Sequence, residues 1–420
     1  MCKLKIKNFG PIRDGLKENS GFLEIKDTTI FIGNQATGKS SIVKLYATLV
    51  WLEKTLYRGD ITEKSIVQYN RFRNKYCEYQ GLKNYFLTNT YIEYIGDVYS
   101  FVYKDEKLSI KREENKDFLA PQIMYVPAER NFLSVVDTPE KLKGLPKSLY
   151  TFLEEFEKAQ KKQSNNIQLP INNISFEFQK QNKISYIIGK NYKIRLAEAS
   201  SGIQSLLPIY LVSKNLSESI DGKNDVSKES LSRKKQKKLQ EEVAKILSND
   251  KLSEEVKEAS YQLLSSMYTN ACFINIVEEL EQNLFPTSQK NLLFSLFKFL
   301  NQTEGNKLIL TTHSPYIINY LTLAIKAEQI LKKISNNSIL LEDLEKVISK
   351  ESCIDGRTSI VYELTENGII KILPTYHDMP SDENYLNIKL DETNDLFYQL
   401  LEIEDKIESK NKNEIKSRDN

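Results

Sequence analysis

The run Gly33-Asn34-Gln35-Ala36-Thr37-Gly38-Lys39-Ser40-Ser41 places two glycines, a lysine and hydroxyls at the spacing GxxxxGK[ST]. Glycines let the backbone curl, so that several N–H groups point at one chain of phosphates. A helix starting near Gly38 adds the positive end of its dipole. Lys39 then reaches the β and γ phosphates of a nucleoside triphosphate, and the Ser40 hydroxyl is a ligand for Mg²⁺. A chance match in a surface turn would need neither an apolar strand before it nor an amphipathic helix after it.

Three more clusters follow. Leu196-Ala197-Glu198-Ala199-Ser200-Ser201-Gly202-Ile203-Gln204 leads into the apolar run LLPIYLV. Ser201 and Gly202 at a helix start could hold a terminal phosphate, although a serine N-cap explains the same residues. Phe273 to Val277 is mostly apolar and runs directly into Glu278 and Glu279, with Glu281 close behind. A solvated acidic helix start is the bland reading of these carboxylates, and it does not explain why they follow an apolar strand. Lys307 to Leu310 is a further apolar run, followed by Thr311-Thr312-His313-Ser314-Pro315.

The elements that must position these groups can be read from periodicity. Residues 3–9 alternate as a half-buried strand does, and Gly10-Pro11 breaks them. Strands are expected at 22–25 and 28–32, and Ile42, Val43, Leu45, Tyr46, Leu49, Val50 and Leu56 recur at helical spacing. Between the motifs we expect a helix near 61–80, a hairpin near 91–112, a strand at 122–126, a helix within 139–165 and strands near 173–178 and 183–188. Residues 213–265 are charged and helical in pattern, with RKKQKK at 233–238. A strand at 272–277, a helix at about 287–300 and a strand at 307–310 complete the set.

The chain has 420 residues, 59 Lys+Arg and 57 Asp+Glu, for a net charge of +2. That balance excludes a strongly basic binder but leaves room for a local basic groove. The four cysteines share no CxxC spacing, so a zinc ribbon or redox dithiol is unsupported. Two histidines are too few for HExxH or other histidine-rich metal chemistry. The N-terminus lacks the apolar core of a signal peptide, and no apolar run approaches the roughly 18 residues of a membrane helix. A soluble, cytoplasmic protein without a membrane partner is the expectation.

The clusters occur in the order found in ABC-type ATPases: P-loop, Q-loop position, signature, Walker B, switch histidine. The chain resembles the soluble ABC-type ATPases grouped with the OLD-like and abortive-infection AAA proteins of bacteria; Septu, PARIS and retron-associated ATPases are similar in layout. The resemblance covers residues 1–56, 122–132, 194–215 and 272–321. It implies an α/β fold, a P-loop NTPase of ABC-ATPase type with helical and β-hairpin insertions. It implies ATP and Mg²⁺ as cofactors. Residues 33–41 with Ser201 and Gly202 would hold nucleotide, and Ser40 and Glu278 would hold the metal. Glu279 would orient and deprotonate the attacking water, and His313 would contact the γ-phosphate. The family pattern is departed from where Ile203 replaces a glycine, Glu278 an aspartate, Leu280 a proline and Phe285 a histidine. No glutamine follows Pro127 at the Q-loop position, which leaves either Glu129 or Arg130 as the sensor, or a salt-bridged turn.

The implied division is an N-terminal head lobe at 1–56, an inserted helical and hairpin lobe at 57–190 with the Q-loop-like strand at 122–130, a signature region at 191–215, a charged helical insertion at 216–265, a C-terminal head lobe at 266–403 and a disordered tail at 404–420. Glu278 lies 74 residues beyond Gln204, too far for an ABC transporter subunit. The 107 residues after His313 hold no Toprim-like acidic set, so any nuclease or toxin effector should be a separate chain. By resemblance the chain is a sensor and regulator of such an effector in bacterial anti-phage defence, working as a homodimer or higher oligomer that shares ATP between subunits. The alternative is a RecF/SMC-like DNA-binding ATPase clamp in repair. DNA is a candidate partner in either case: the basic-aromatic run Asn70 to Tyr76 could touch phosphates and bases, or could be a solvated helix face.

Overall fold

The computed structural model describes residues 2–113, 118–136, 144–163, 166–171, 173–220, 270–334 and 338–418. The chain opens with β1 (Lys3–Phe9), whose burial alternates as its sequence does. Two short strands, β2 (Gly15–Leu16) and β3 (Leu23–Glu24), precede β4 (Thr28–Gly33), which is buried along its whole length. The P-loop run then leads into α1 (Lys39–Tyr57).

The expected helix over 61–80 is broken. Its parts are α2 (Glu63–Val67), a 3₁₀ turn at Gln68–Asn70 and a π-type turn at Phe72–Cys77. Tyr69 stands at φ +55°, outside helical space. Packing overrides propensity here: the Phe72 ring meets Phe86 and Tyr103 with centroids 5.9 and 5.7 Å apart. The expected hairpin near 91–112 is a three-stranded meander of β5 (Phe86–Ile95), β6 (Tyr99–Lys104) and β7 (Lys107–Arg112). Its second turn uses Asp105 and Glu106 at φ +50° and +58°, the left-handed pair of a tight hairpin, without the glycine that usually marks one.

Next come β8 (Pro121–Val126), α3 (Phe132–Val135) and α4 (Lys147–Lys162). Four short strands follow: β9 (Ile167–Gln168), β10 (Ser175–Gln179), β11 (Ile184–Ile188) and β12 (Lys193–Arg195). Helix α5 (Ser201–Ile220) runs past residue 215 without a break, and most of the expected 216–265 insertion, with its RKKQKK run, lies outside the described residues. The C-terminal half holds β13 (Cys272–Val277), α6 (Pro286–Leu300), β14 (Lys307–Thr311), α7 (Pro315–Ile334), α8 (Ser338–Val347), β15 (Ser359–Leu364) and β16 (Ile369–Ile372).

The disordered tail expected at 404–420 is corrected by α9 (Tyr385–Arg418). Asn384 caps this helix by accepting from the N–H groups of Leu386 and Asn387. No glycine or proline interrupts residues 385–418, and the apolar series Leu396, Leu400, Ile403, Ile407 carries helical spacing past 404. The charge content that suggested disorder is compatible with an exposed helix. Among the described residues no helix is long and apolar enough to cross a membrane.

The main sheet has the order β2-β16-β15-β4-β14-β13-β8. From β15 through β4, β14 and β13 to β8, neighbours are parallel. Successive side chains of its strands enter opposite cores. Ile30, Ile32, Leu308 and Leu310 pack with α4, α5, α6 and α7. Phe31 and Ile309 pack on the other face with α1 and the antiparallel sheet β3-β1-β5-β6-β7. This is an α/β P-loop NTPase fold with helical and β-hairpin insertions. Because β14 lies between β4 and β13, the C-terminal ends of three adjacent parallel strands deliver the P-loop, the histidine loop and the paired glutamates to one edge.

Candidate functional site

The loop after β4 has the shape its glycines allow. Gly33 sits at φ +140°, and a Cβ there would stand 2.4 Å from the Leu364 carbonyl oxygen. Gly38 caps α1 from the left-handed region. The Thr37 hydroxyl donates to the Asn34 carbonyl at 2.8 Å, and the Asn34 amide donates to Glu366 at 2.7 Å. Lys39 Nζ spans the loop, donating to the carbonyls of Gly33 and Asn34 at 2.9 and 2.8 Å. Burial pulls its ammonium down to about 8, against the opposing pull of Glu279, Glu281 and Glu278. The Ser41 hydroxyl is turned inward onto the Gly38 carbonyl.

Glu278, at the end of the buried strand β13, is 3% exposed. Burial pushes its carboxyl above the usual range, while Lys44 and the Tyr125 and Ser40 hydroxyls beside it act the other way. Its Oε1 and the Tyr125 hydroxyl nonetheless lack any hydrogen-bond partner. A buried, orphaned carboxylate oxygen next to a serine hydroxyl is the hard oxygen pair that Mg²⁺ takes. The residues present therefore fit the metal. Among the described residues no group of three or more His, Cys, Asp or Glu side chains gathers as a metal cage, so such an ion would draw its remaining ligands from phosphate and water.

Glu279 follows at φ +44°, an uncommon backbone for this residue type. Two contacts hold it there: its N–H donates to the Thr311 hydroxyl at 3.1 Å, and its carbonyl accepts from Arg130 at 2.7 Å. The carboxylate that results is half exposed and stands 3.8 Å from His313 Nε2. His313 Nδ1 is 3.5 Å from Lys39 Nζ. Burial, then Lys39, holds this imidazole below its ordinary value, so it is neutral at neutral pH. Glu281 fixes the histidine loop, accepting from the Thr312 hydroxyl at 2.8 Å and from the His313 N–H at 2.5 Å.

Arg130 is wholly buried. Its guanidinium donates to the carbonyls of Pro127, Ser205, Glu278 and Glu279. The Q-loop position thus holds a main-chain clamp, with no ion pair at Arg130 among the described residues, and Glu129 takes no part in these contacts. A single sequence carries no signal for this, nor for the anchoring by Glu281.

The structure therefore brings together Gly33 through Ser41, Glu278, Glu279 and His313. It does not join Ser201 and Gly202 to them: among the described residues no hydrogen bond or ion pair links 201–202 to 33–41. Ser201 is exposed at the start of α5. A Cβ on Gly202 would lie 2.9 Å from the Asn283 carbonyl oxygen, and Asn283 donates to the Ser205 hydroxyl at 3.0 Å. Gln204 folds back onto the carbonyls of Leu196 and Ala197. The signature segment is thus tied to the turn after the paired glutamates.

No family model matches the chain, and no curated protein matches it. Solved structures do. The SMC head domain from Thermotoga maritima is 10% identical over 89% of this chain and 98% of that one, with a TM-score of 0.38. An SMC head bound to the C-winged helix domain of ScpA is 10% identical over 88% and 96%, at 0.37. An SMC head with an extended coiled coil, bound to the C-terminal domain of ScpA derived from Pyrococcus furiosus, is 10% identical over 90% and 97%, at 0.33. These are distant likenesses.

Proposed function

We propose that the chain binds and hydrolyses ATP between two copies of itself, and that this cycle controls a separate effector, a nuclease or toxin, in anti-phage defence. One observation carries the ATPase reading: Lys39, Ser40, Glu278, Glu279 and His313 converge on the ends of three adjacent parallel strands. The loop N–H groups and Lys39 hold the β and γ phosphates. Glu279 orients a water and accepts its proton as the γ-phosphate is attacked. Neutral His313, between Lys39 and Glu279, donates to a γ-phosphate oxygen and holds its position. Ser40 and Glu278 hold Mg²⁺, which supplies charge neutralisation at the phosphates.

The exposure of Ser201 supports a shared site, in which it meets the γ-phosphate of a partner in a C2 dimer with two equivalent sites. The defence role rests on the family resemblance. Its test is phage challenge of cells carrying the gene with its neighbours: protection lost in Lys39→Ala supports it, and no protection in the wild type overturns it. The clamp reading is favoured by α9, 34 residues long, with Leu396, Phe397, Leu400 and Ile407 all more than half exposed. ATP-dependent retention of closed circular DNA would decide for it.

A further inference from the structure

A second cavity, of about 460 Å³, lies between α1, the π-type turn at Phe72–Cys77, the edge strand β8 and the start of α4. Its size falls within the roughly 300–1,000 Å³ of small-ligand sites. The P-loop residues do not line it, but Tyr125 is common to both places: its ring lines the cavity and its hydroxyl stands beside Glu278.

Three features of the lining point to one ligand chemistry. Trp51 and Tyr76 both face the cavity, with ring centroids 5.9 Å apart and planes inclined at 39°, and Trp51 remains 43% exposed. They form an aromatic platform that an unstacked planar ring can cover. One orphaned buried polar atom belongs to a lining residue: Gln80 Oε1, an acceptor. Buried polar groups without partners are uncommon and call for one. Lys75 and Lys147 line the same cavity, and neither pairs with a carboxylate among the described residues. The π-type turn is what places Lys75 and Tyr76 here, with Lys75 Nζ 5.2 Å from the Tyr76 centroid. Such turns often mark functional sites.

We propose that this cavity binds a nucleotide: the base stacks on Trp51 and hydrogen-bonds Gln80, and the phosphate meets Lys75 and Lys147. A free mononucleotide and an unstacked nucleotide of a single strand share this chemistry. The site goes beyond the ATPase reading and does not depend on it.

Trp51 is the only tryptophan of the chain, so its fluorescence reports on this cavity directly. The test uses full-length Lys39→Ala protein without Mg²⁺, which removes phosphate binding at the P-loop. AMP, UMP, adenosine and a short single-stranded oligonucleotide are titrated in turn. Saturable quenching by the mononucleotides, about tenfold weaker for adenosine and about tenfold weaker again in a Lys75→Ala/Lys147→Ala variant, is expected for loss of charge-assisted contacts. Tighter binding of the oligonucleotide than of the mononucleotides assigns the ligand to a single strand; the reverse assigns it to a free nucleotide. No saturable quenching up to about 1 mM by either class overturns the proposal. So does binding that N-acetyl-tyrosinamide matches and added salt leaves unchanged, which would assign the cavity to a protein side chain. The lysines are exposed and lie outside the core, so loss of binding in their variant is not a folding effect; an unchanged melting profile checks this.

Discussion

Arg130 donates to the main-chain oxygens of Glu278 and Glu279 at 2.7 Å each, so one buried guanidinium holds the two peptide units that flank the Cα of the catalytic candidate. The same side chain reaches Ser205 in α5 at 3.3 Å. Arg130 thus links α5 to the backbone of Glu279, alongside the Asn283 contact with Ser205. Arg130→Ala leaves buried carbonyls without donors and should cost about 3 kcal/mol or more in stability. Arg130→Lys keeps the charge but cannot span four acceptors. It should fold, bind ATP and turn over at least tenfold more slowly; an unchanged kcat in Arg130→Lys would show that the clamp is purely structural.

Lys39→Ala should abolish ATP binding or turnover, because it removes the cation between the β and γ phosphates. Full ATPase activity in the purified variant would dismiss the P-loop reading.

Glu279→Gln should keep ATP binding and lose turnover by about 10² or more, since an amide cannot accept the proton of water, and ATP-bound oligomer should accumulate. Glu281→Gln retains one of the two acceptors that hold Thr312 and His313, so a smaller loss of kcat, about tenfold, is expected. The reverse ranking in single-turnover assays would exchange their roles.

Nucleotide affinity should depend on pH through Lys39. Its folded pKa is lowered to about 8, and the protonated form binds phosphate. Affinity should therefore be level below pH 8 and weaken as pH rises above it, by at most about tenfold per unit. His313, also lowered, is neutral throughout that window and adds no slope. Lys39→Arg, weaker overall, should show no such slope; equal slopes in both proteins would place the titration elsewhere.

Mixing inactive Lys39→Ala with inactive Ser201→Arg tests the shared site. A heterodimer carries one site with both residues intact, so partial ATPase activity should return. A monomer fully active at nanomolar concentration would exclude sharing.

The sequence by itself determined whatever rests on local backbone demands. The glycines at 33 and 38, the apolar strand before them and the helical spacing after them specify strand, loop and helix without reference to any distant residue. The same holds for Glu278 and Glu279 at the end of a buried strand, and for His313 two residues beyond the end of β14. What the tertiary structure decided are relations between residues far apart in the chain. Strand order put β14 between β4 and β13 and so set His313 between Lys39 and Glu279. Arg130 meets Glu278 across 148 positions, and Glu281 meets His313 from another loop. The breaks at 68–77 and the tight turn at 105–106 were decided by packing and backbone sign, where no glycine or proline advertised them. The helix through Arg418 was hidden by its charge, because composition separates an exposed helix from a disordered tail only through the periodicity of its few apolar residues.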